Sequence, residues 1–207
     1  MGVQSHDRNR QRNENTVKDM TPLPDQDQIR MDVAQAKCRS KIYLSNAYEQ
    51  VRIEPDDVHK TAFTTVFGTY LSEVMQQGDC NAPATFQRLV TAIFREAIGT
   101  SVHAYLDDLF IYSDTLDEHE KHLEYVFQKL RQNHLFLEKE KCNLYSESMD
   151  CLRHLIDAQG LHADSDKMAH VHNWHTLRNH KDIQRFLGLV QYLAQFMLDV
   201  TCHWHLG

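Results

Sequence analysis

Two adjacent carboxylates, Asp107 and Asp108, are the residues of this chain whose type and spacing point most directly to chemistry. They interrupt an otherwise apolar run, Ser101-Val-His-Ala-Tyr-Leu-Asp-Asp-Leu-Phe-Ile-Tyr-Ser113. The pattern predicts two short strands whose connection presents both acids. Carboxylate oxygens projecting from the end of a rigid sheet suit hard divalent cations. Aspartate is also an ordinary turn residue, and on the dipeptide alone a plain hairpin turn is the stronger reading. Other reactive side chains offer less. His170, His172 and His175 sit at spacings that scatter them around a helix, which favours solvated surface over a zinc site. No cysteine stands beside a histidine-and-acid arrangement, and there is no glycine-rich phosphate loop.

The elements that must position the acid pair can be read from periodicity. Residues 1–20 are polar and aperiodic, and are expected to be a disordered lead-in. After Thr21-Pro-Leu-Pro24, a helix is predicted over residues 25–37 with Ile29, Val33 and Ala36 on one side. Short strands are expected at 41–45 and 48–53, then a turn at Pro55-Asp-Asp57. A hairpin follows, with strands at 61–67 and 70–75 and its turn at Gly68-Thr69. Asn81 is expected to cap a helix with Pro83 in its first turn and Phe86, Leu89, Val90, Ile93, Phe94 and Ala97 as a core stripe ending at Gly99. Beyond the acid hairpin, Thr115-Leu-Asp-Glu118 is a capping box opening a helix with Leu123, Val126, Phe127 and Leu130 inward. Leu135-Phe-Leu137 reads as a strand. Two further helices are expected, one beginning after Ser165 and running to about Trp174, and one from Asn179 that buries Ile183, Phe186, Leu187, Val190 and Leu193. The order implies an α+β fold, an antiparallel sheet with helices packed on one face and the other face free for a duplex.

Composition narrows the function classes. With 207 residues, 42% of them hydrophobic, the chain can bury a core. No apolar run reaches the ~18 residues of a membrane span, and the polar start is no secretory signal, so neither membrane insertion nor secretion is expected. Five cysteines without a Cys-x-x-Cys pair argue for reduced thiols in a cytoplasmic or nuclear setting. A net charge of −7 means that nucleic acid could be held only by a local basic groove.

Three segments in order carry a resemblance. Tyr105-Leu-Asp-Asp108 resembles the Tyr-x-Asp-Asp box of reverse transcriptases, and Asn81-Ala-Pro-Ala-Thr-Phe-Gln87 resembles their second palm motif. Phe186-Leu-Gly-Leu189 with Tyr192 resembles the thumb of gypsy-type retrotransposon polymerases, RNA-directed DNA polymerases that copy a template-primer. The likeness runs from about Thr21 to Met197. It implies a palm with a fingers hairpin over residues 21–160 and a partial helical thumb with a frayed tail over 161–207, with the earlier fingers piece missing. It further implies Mg2+ or Mn2+ at Asp107 and Asp108, an RNA/DNA template-primer as partner, and nucleotide or template contacts at Tyr48, Asn81, Gln87, Tyr105 and Lys141. No protease or ribonuclease H domain is visible.

The departures from the family matter as much. Family members place a third metal-binding Asp inside the motif represented here by Ser40-Lys-Ile-Tyr-Leu-Ser-Asn-Ala-Tyr48, and this chain has Tyr43 at that position. A phenol of pKa near 10 is neutral at pH 7 and cannot replace an anionic bridging ligand. The family also carries Gly where this chain has Arg153, which argues against a tight turn there. The resemblance with these departures implies a polymerase domain of weak or absent activity. Two alternatives remain: a non-catalytic module on the same fold, holding nucleic acid or a protein partner, and a residual metal-dependent nuclease using the acid pair.

Overall fold

In the computed structural model, the structure describes residues 12–162, 174, 176 and 178–193, and the chain divides into two compact units, Met1–Ser146 and Glu147–Gly207. The predicted helix up to residue 173, the three histidines at 170, 172 and 175 and the tail lie outside the described residues, and Trp174 itself has no regular structure.

The first unit is built on a three-stranded antiparallel sheet in the order β1-β5-β4, with β1 at Cys38–Tyr43, β4 at Val102–Tyr105 and β5 at Asp108–Ser113. Alternation along each strand divides the residues between two faces. Ile42, Val102, Ala104, Leu109 and Ile111 face a core closed by Phe86 and Val90 of α2 (Ala82–Ile93) and by Leu123, Val126 and Leu130 of α3 (Leu116–Gln132). Phe86, Val90 and Val126 are fully buried. Thr115 caps α3 as its sequence predicts, accepting from the Glu118 amide at 3.3 Å. Phe127, expected inward, lies at the margin of the core, 36% exposed.

A buried polar knot ties α3 to the sheet. The His119 ring lies between Ser40 Oγ at 2.8 Å and Ser113 Oγ at 2.9 Å, and His122 Nδ1 meets the same Ser113 hydroxyl at 2.8 Å. Burial, with a smaller contribution from nearby His122, lowers the His119 pKa to about 4, so the ring is neutral at pH 7.

The opposite face is not free along its length. It carries Arg39, Lys41 and Tyr43 from β1, Asp108, Phe110 and Tyr112 from β5, and His103 and Tyr105 from β4. α1 (Gln26–Gln35), capped by Asp25, packs here with Ile29 and Val33 buried. Arg39 donates to the Val33 and Ala34 carbonyls at 2.8 and 3.0 Å, and His103 Nε2 meets Asp32 Oδ2 at 2.8 Å. The polar residues at this contact explain why periodicity alone left the face open.

Residues 12–20 are also engaged, although nothing periodic marks them. Asn13 donates to the Gly78 carbonyl and accepts from the Cys80 amide, both at 2.9 Å, and Arg12 pairs with Asp79. These are bonds to backbone and to charge over more than sixty residues of separation, which no local pattern predicts.

Several expected strands differ. Leu135-Phe-Leu137 forms no strand and pairs only through a single bridge from Leu137 to Leu44, and residues 71–75 are irregular apart from a bridge between Val74 and Arg52. Residues 47–50 form a short 3₁₀ turn rather than a strand, and Tyr48 on it packs edge-on against Phe86 at 6.0 Å. The hairpin β2 (Phe63–Thr65) and β3 (Gly68–Tyr70) turns at Val66-Phe67, two residues earlier than expected, and pairs Thr65 with Gly68. Gly68 has φ 135, a conformation that only glycine adopts freely, so the glycine serves the strand start rather than the turn. This two-stranded ribbon leaves Val66 and Phe67 80% and 88% exposed.

In the second unit, β6 (Met149–Cys151), β7 (His154–Asp157) and β8 (Gly160–His162) form an antiparallel meander over buried Met149, Cys151 and Ile156. The tight β6–β7 turn does form. Leu152 and Arg153 take φ values of 50 and 68, as a two-residue turn of this hand requires, without the glycine. α4 (His180–Leu193) opens with a reciprocal cap: Asn179 Oδ1 accepts from the Asp182 amide at 3.0 Å and Asn179 Nδ2 donates to Asp182 Oδ2 at 3.0 Å. Its apolar stripe is less covered than expected, with Ile183 and Leu187 44% and 45% exposed. Periodicity reports which face of a helix is apolar, and burial requires a neighbouring element to cover it.

Candidate active site

The acid pair sits where β4 turns into β5. Tyr105 pairs with Asp108, leaving Leu106 and Asp107 as the two turn residues, with Leu106 at φ 53. Two bonds fix that turn from outside. The Leu106 amide donates to Gln87 Oε1 at 2.8 Å, and the Asp107 carbonyl accepts from the Leu44 amide at 2.8 Å.

On β1, Tyr43 lies directly across from Asp108 in the strand register. Its hydroxyl hydrogen-bonds to the Asp107 carboxylate, and this bond, together with burial and the Asp107 charge, raises the phenol pKa above its ordinary value. The tyrosine is therefore a neutral donor to the acid. Lys41, two residues earlier on the same face, brings Nζ to 3.0 Å from Asp108 Oδ2 and to 5.5 Å from the Phe110 ring centre. On the other side of Tyr43, Lys141 Nζ sits 4.3 Å above the phenol ring. The ion pair of Lys141 with Glu138 at 2.8 Å is the main cause of its raised pKa.

The remaining predicted site residues separate into near and far groups. Tyr48 is half-buried, and burial followed by the Asp107 charge raises its pKa. The Tyr105 hydroxyl accepts from Gln26 Nε2 at 2.5 Å. Gln87 is only 3% exposed, and its Nε2 donates to the Ala104 carbonyl at 3.0 Å. With both ends of its amide spent on the acid turn, Gln87 positions Asp107 from inside the core rather than facing a template. Asn81 makes no side-chain cap for α2. Its Oδ1 accepts from the Asp19 amide at 2.9 Å and its Nδ2 donates to the Val17 carbonyl at 2.8 Å, anchoring the incoming segment. Asn81 and Thr85 also line a cavity of about 390 Å³ with Arg52 and Lys60. Lys41 was missed by motif reading. Strand alternation could have found it, since position 41 shares a face with 43 and, across the register, with 108.

A family model described as reverse transcriptase (RNA-dependent DNA polymerase) matches residues 5–190. This chain belongs to the reverse transcriptase family. The reverse transcriptase domain is 32% identical over 188 residues to the retrovirus-related Pol polyprotein from transposon 297 of Drosophila melanogaster, covering 91% of this chain and 18% of the relative. It is 32% identical over 176 residues to the transposon Tf2-3 polyprotein of Schizosaccharomyces pombe, covering 85% of this chain and 13% of the relative. It thus spans less than a fifth of these polyproteins. Among solved structures, the foamy viral protease-reverse transcriptase in complex with double-stranded DNA matches with TM-score 0.80 and 26% identity over 89% of this chain and 32% of that one. The same viral protein in complex with RNA/DNA hybrid matches with TM-score 0.75 and 26% identity, over 89% of this chain and 25% of that one.

Polymerase phosphoryl transfer uses two metal ions about 4 Å apart. The reverse transcriptase residues here do not fit that pair. Two carboxylates are present, the third position is a neutral phenol, and an ammonium already stands 3.0 Å from Asp108. Among the described residues no group of three or more His, Cys, Asp or Glu could hold a metal ion.

Proposed function

We propose that this chain is the palm and partial thumb of a gypsy-type retroelement reverse transcriptase that holds template-primer without extending it. The palm with its fingers hairpin spans residues 21–160 and the thumb begins at 161. The observation that carries the reading is the register of β1 on β5, which sets Tyr43 opposite Asp108. That position needs an anion to bridge two cations, and a phenol donating to Asp107 offers none. Divalent-ion binding by Asp107 and Asp108 is correspondingly weakened.

Nucleic-acid binding is supported by the likeness to viral proteins solved with duplexes and by cations of the first unit. Lys141 stands over Tyr43, while Arg52 and Lys60 line the cavity beside Asn81. Tyr48 and Tyr105 offer aromatic surface beside the acids. Five cysteines without a Cys-x-x-Cys pair suit a reducing cytoplasmic or nuclear setting. No helix among the described residues is long and apolar enough to cross a membrane.

The test pairs a binding assay with a primer-extension assay. An RNA/DNA hybrid should bind with an affinity that falls steeply with salt, while extension with Mg2+ or Mn2+ stays at background. Robust extension would refute the catalytic part, and salt-insensitive or absent binding would refute the rest.

A further inference from the structure

Two contacts engage the acid pair with the protein's own groups rather than with a metal ion. The first is Lys41 Nζ at 3.0 Å from Asp108 Oδ2, with side chains only 14% and 19% exposed. The second is the hydrogen bond from the Tyr43 hydroxyl to the Asp107 carboxylate. We infer that the acid pair has exchanged a metal-binding role for a structural one, with Lys41 as the resident cation of Asp108 and Tyr43 as the resident donor of Asp107. The inference rests on reading Asp107 and Asp108 as a former catalytic pair.

The physical basis is charge balance. Adjacent carboxylates in a working metal site repel each other until cations arrive, and such sites are held at a cost in stability. Here each acid has a protein partner on β1. Both contacts run alongside the Leu44 amide to Asp107 carbonyl bond of 2.8 Å, so side chains and backbone fasten the same turn to the same strand. The Lys41–Asp108 pair is largely withdrawn from water, which separates it from exposed pairs worth little. A divalent ion entering this place would have to displace the ammonium and break the Tyr43 bond. It would then find two carboxylates rather than three.

The experiment uses the full chain without nucleic acid. Thermal unfolding is followed with and without millimolar Mg2+, and Mn2+ binding is read by paramagnetic resonance. In the unaltered protein, the melting temperature is unmoved by Mg2+ and no Mn2+ site saturates in the submillimolar range. Asp107→Asn and Asp108→Asn each lower the melting temperature. Lys41→Met lowers it too and makes it rise on adding Mg2+, since Asp108 then lacks its cation. Tyr43→Asp tightens Mn2+ binding by about tenfold or more, as an added carboxylate ligand should, whereas Tyr43→Phe does not.

Submillimolar Mn2+ binding by the unaltered protein would overturn the inference, as would a higher melting temperature in either Asp→Asn variant. The Mn2+ titration of the unaltered protein depends on no variant's folding. Mn2+ binding with extension still absent would sink this inference alone and leave the functional reading standing. Extension would sink the functional reading.

Discussion

The side-chain amide of Gln87 on α2 accepts a hydrogen bond from the Leu106 amide at 2.8 Å and donates one to the Ala104 carbonyl at 3.0 Å. A helix residue in the core thereby fixes the turn that presents Asp107. Gln87→Ala removes both bonds and leaves a buried amide and carbonyl without these partners. The expected loss is about 1–3 kcal/mol, read as a lower midpoint in urea unfolding. A change within about 0.5 kcal/mol, the range of an ordinary surface substitution, would show that the clamp does not hold the turn.

Nucleic-acid binding should be carried by a few cations on an acidic body. Lys141 is exposed and stands over Tyr43, so a phosphate near the acid turn can reach it. Lys141→Ala should weaken RNA/DNA hybrid binding uniformly across sequences and reduce the slope of log affinity against log salt by about one. Fluorescence anisotropy over a salt series measures both quantities. An unchanged slope would remove Lys141 from the interface.

Primer extension should be at background for the unaltered chain with either Mg2+ or Mn2+. Tyr43→Asp restores the missing carboxylate across from Asp108 and should yield slow extension, which Tyr43→Phe should not. A gel-based single-turnover assay separates the two variants. Equal behaviour would shift the cause of silence away from position 43.

His119 makes stability depend on pH with a definite sign. Its folded pKa, about 4, lies below the ordinary value of 6.5, so the folded state binds its proton less readily. The contribution is fully present above pH 6.5 and is lost as pH falls from there toward 4. The loss should be on the order of 3 kcal/mol, measurable by urea unfolding across that window. A His119→Gln variant should show a flatter profile. An unchanged profile would assign the slope to other groups.

What was legible in the sequence was local or repeated at short period. The acid turn, the Thr115 cap of α3, the Asn179 start of α4 and the core stripe of α2 each announce themselves within a few residues. The family likeness was legible for the same reason, since its motifs are contiguous. What escaped were polar side chains spent on distant backbone. Gln87 and Asn81 look like surface-facing residues of a motif, yet each closes hydrogen bonds to a segment far along the chain. α1 was placed correctly along the sequence, but its seat on the second sheet face depends on Arg39, His103 and Asp32, which no hydrophobic pattern counts. At Arg153 the tight turn survives without glycine because the register pairing Cys151 with His154 imposes it.

The β2–β3 ribbon bears on how the molecule behaves in concentrated solution. Every charge between Lys60 and Glu73 is missing from the sequence, and the exposed tip residues Val66 and Phe67 lie within that interval. A net charge of −7 keeps copies apart everywhere else, but the ribbon is a neutral, sticky landing point with two open strand edges among the described residues. Association between copies should therefore begin at these dozen residues, and raising the pH from 6.0 toward about 8 adds repulsion elsewhere on the body while leaving the ribbon itself without charge.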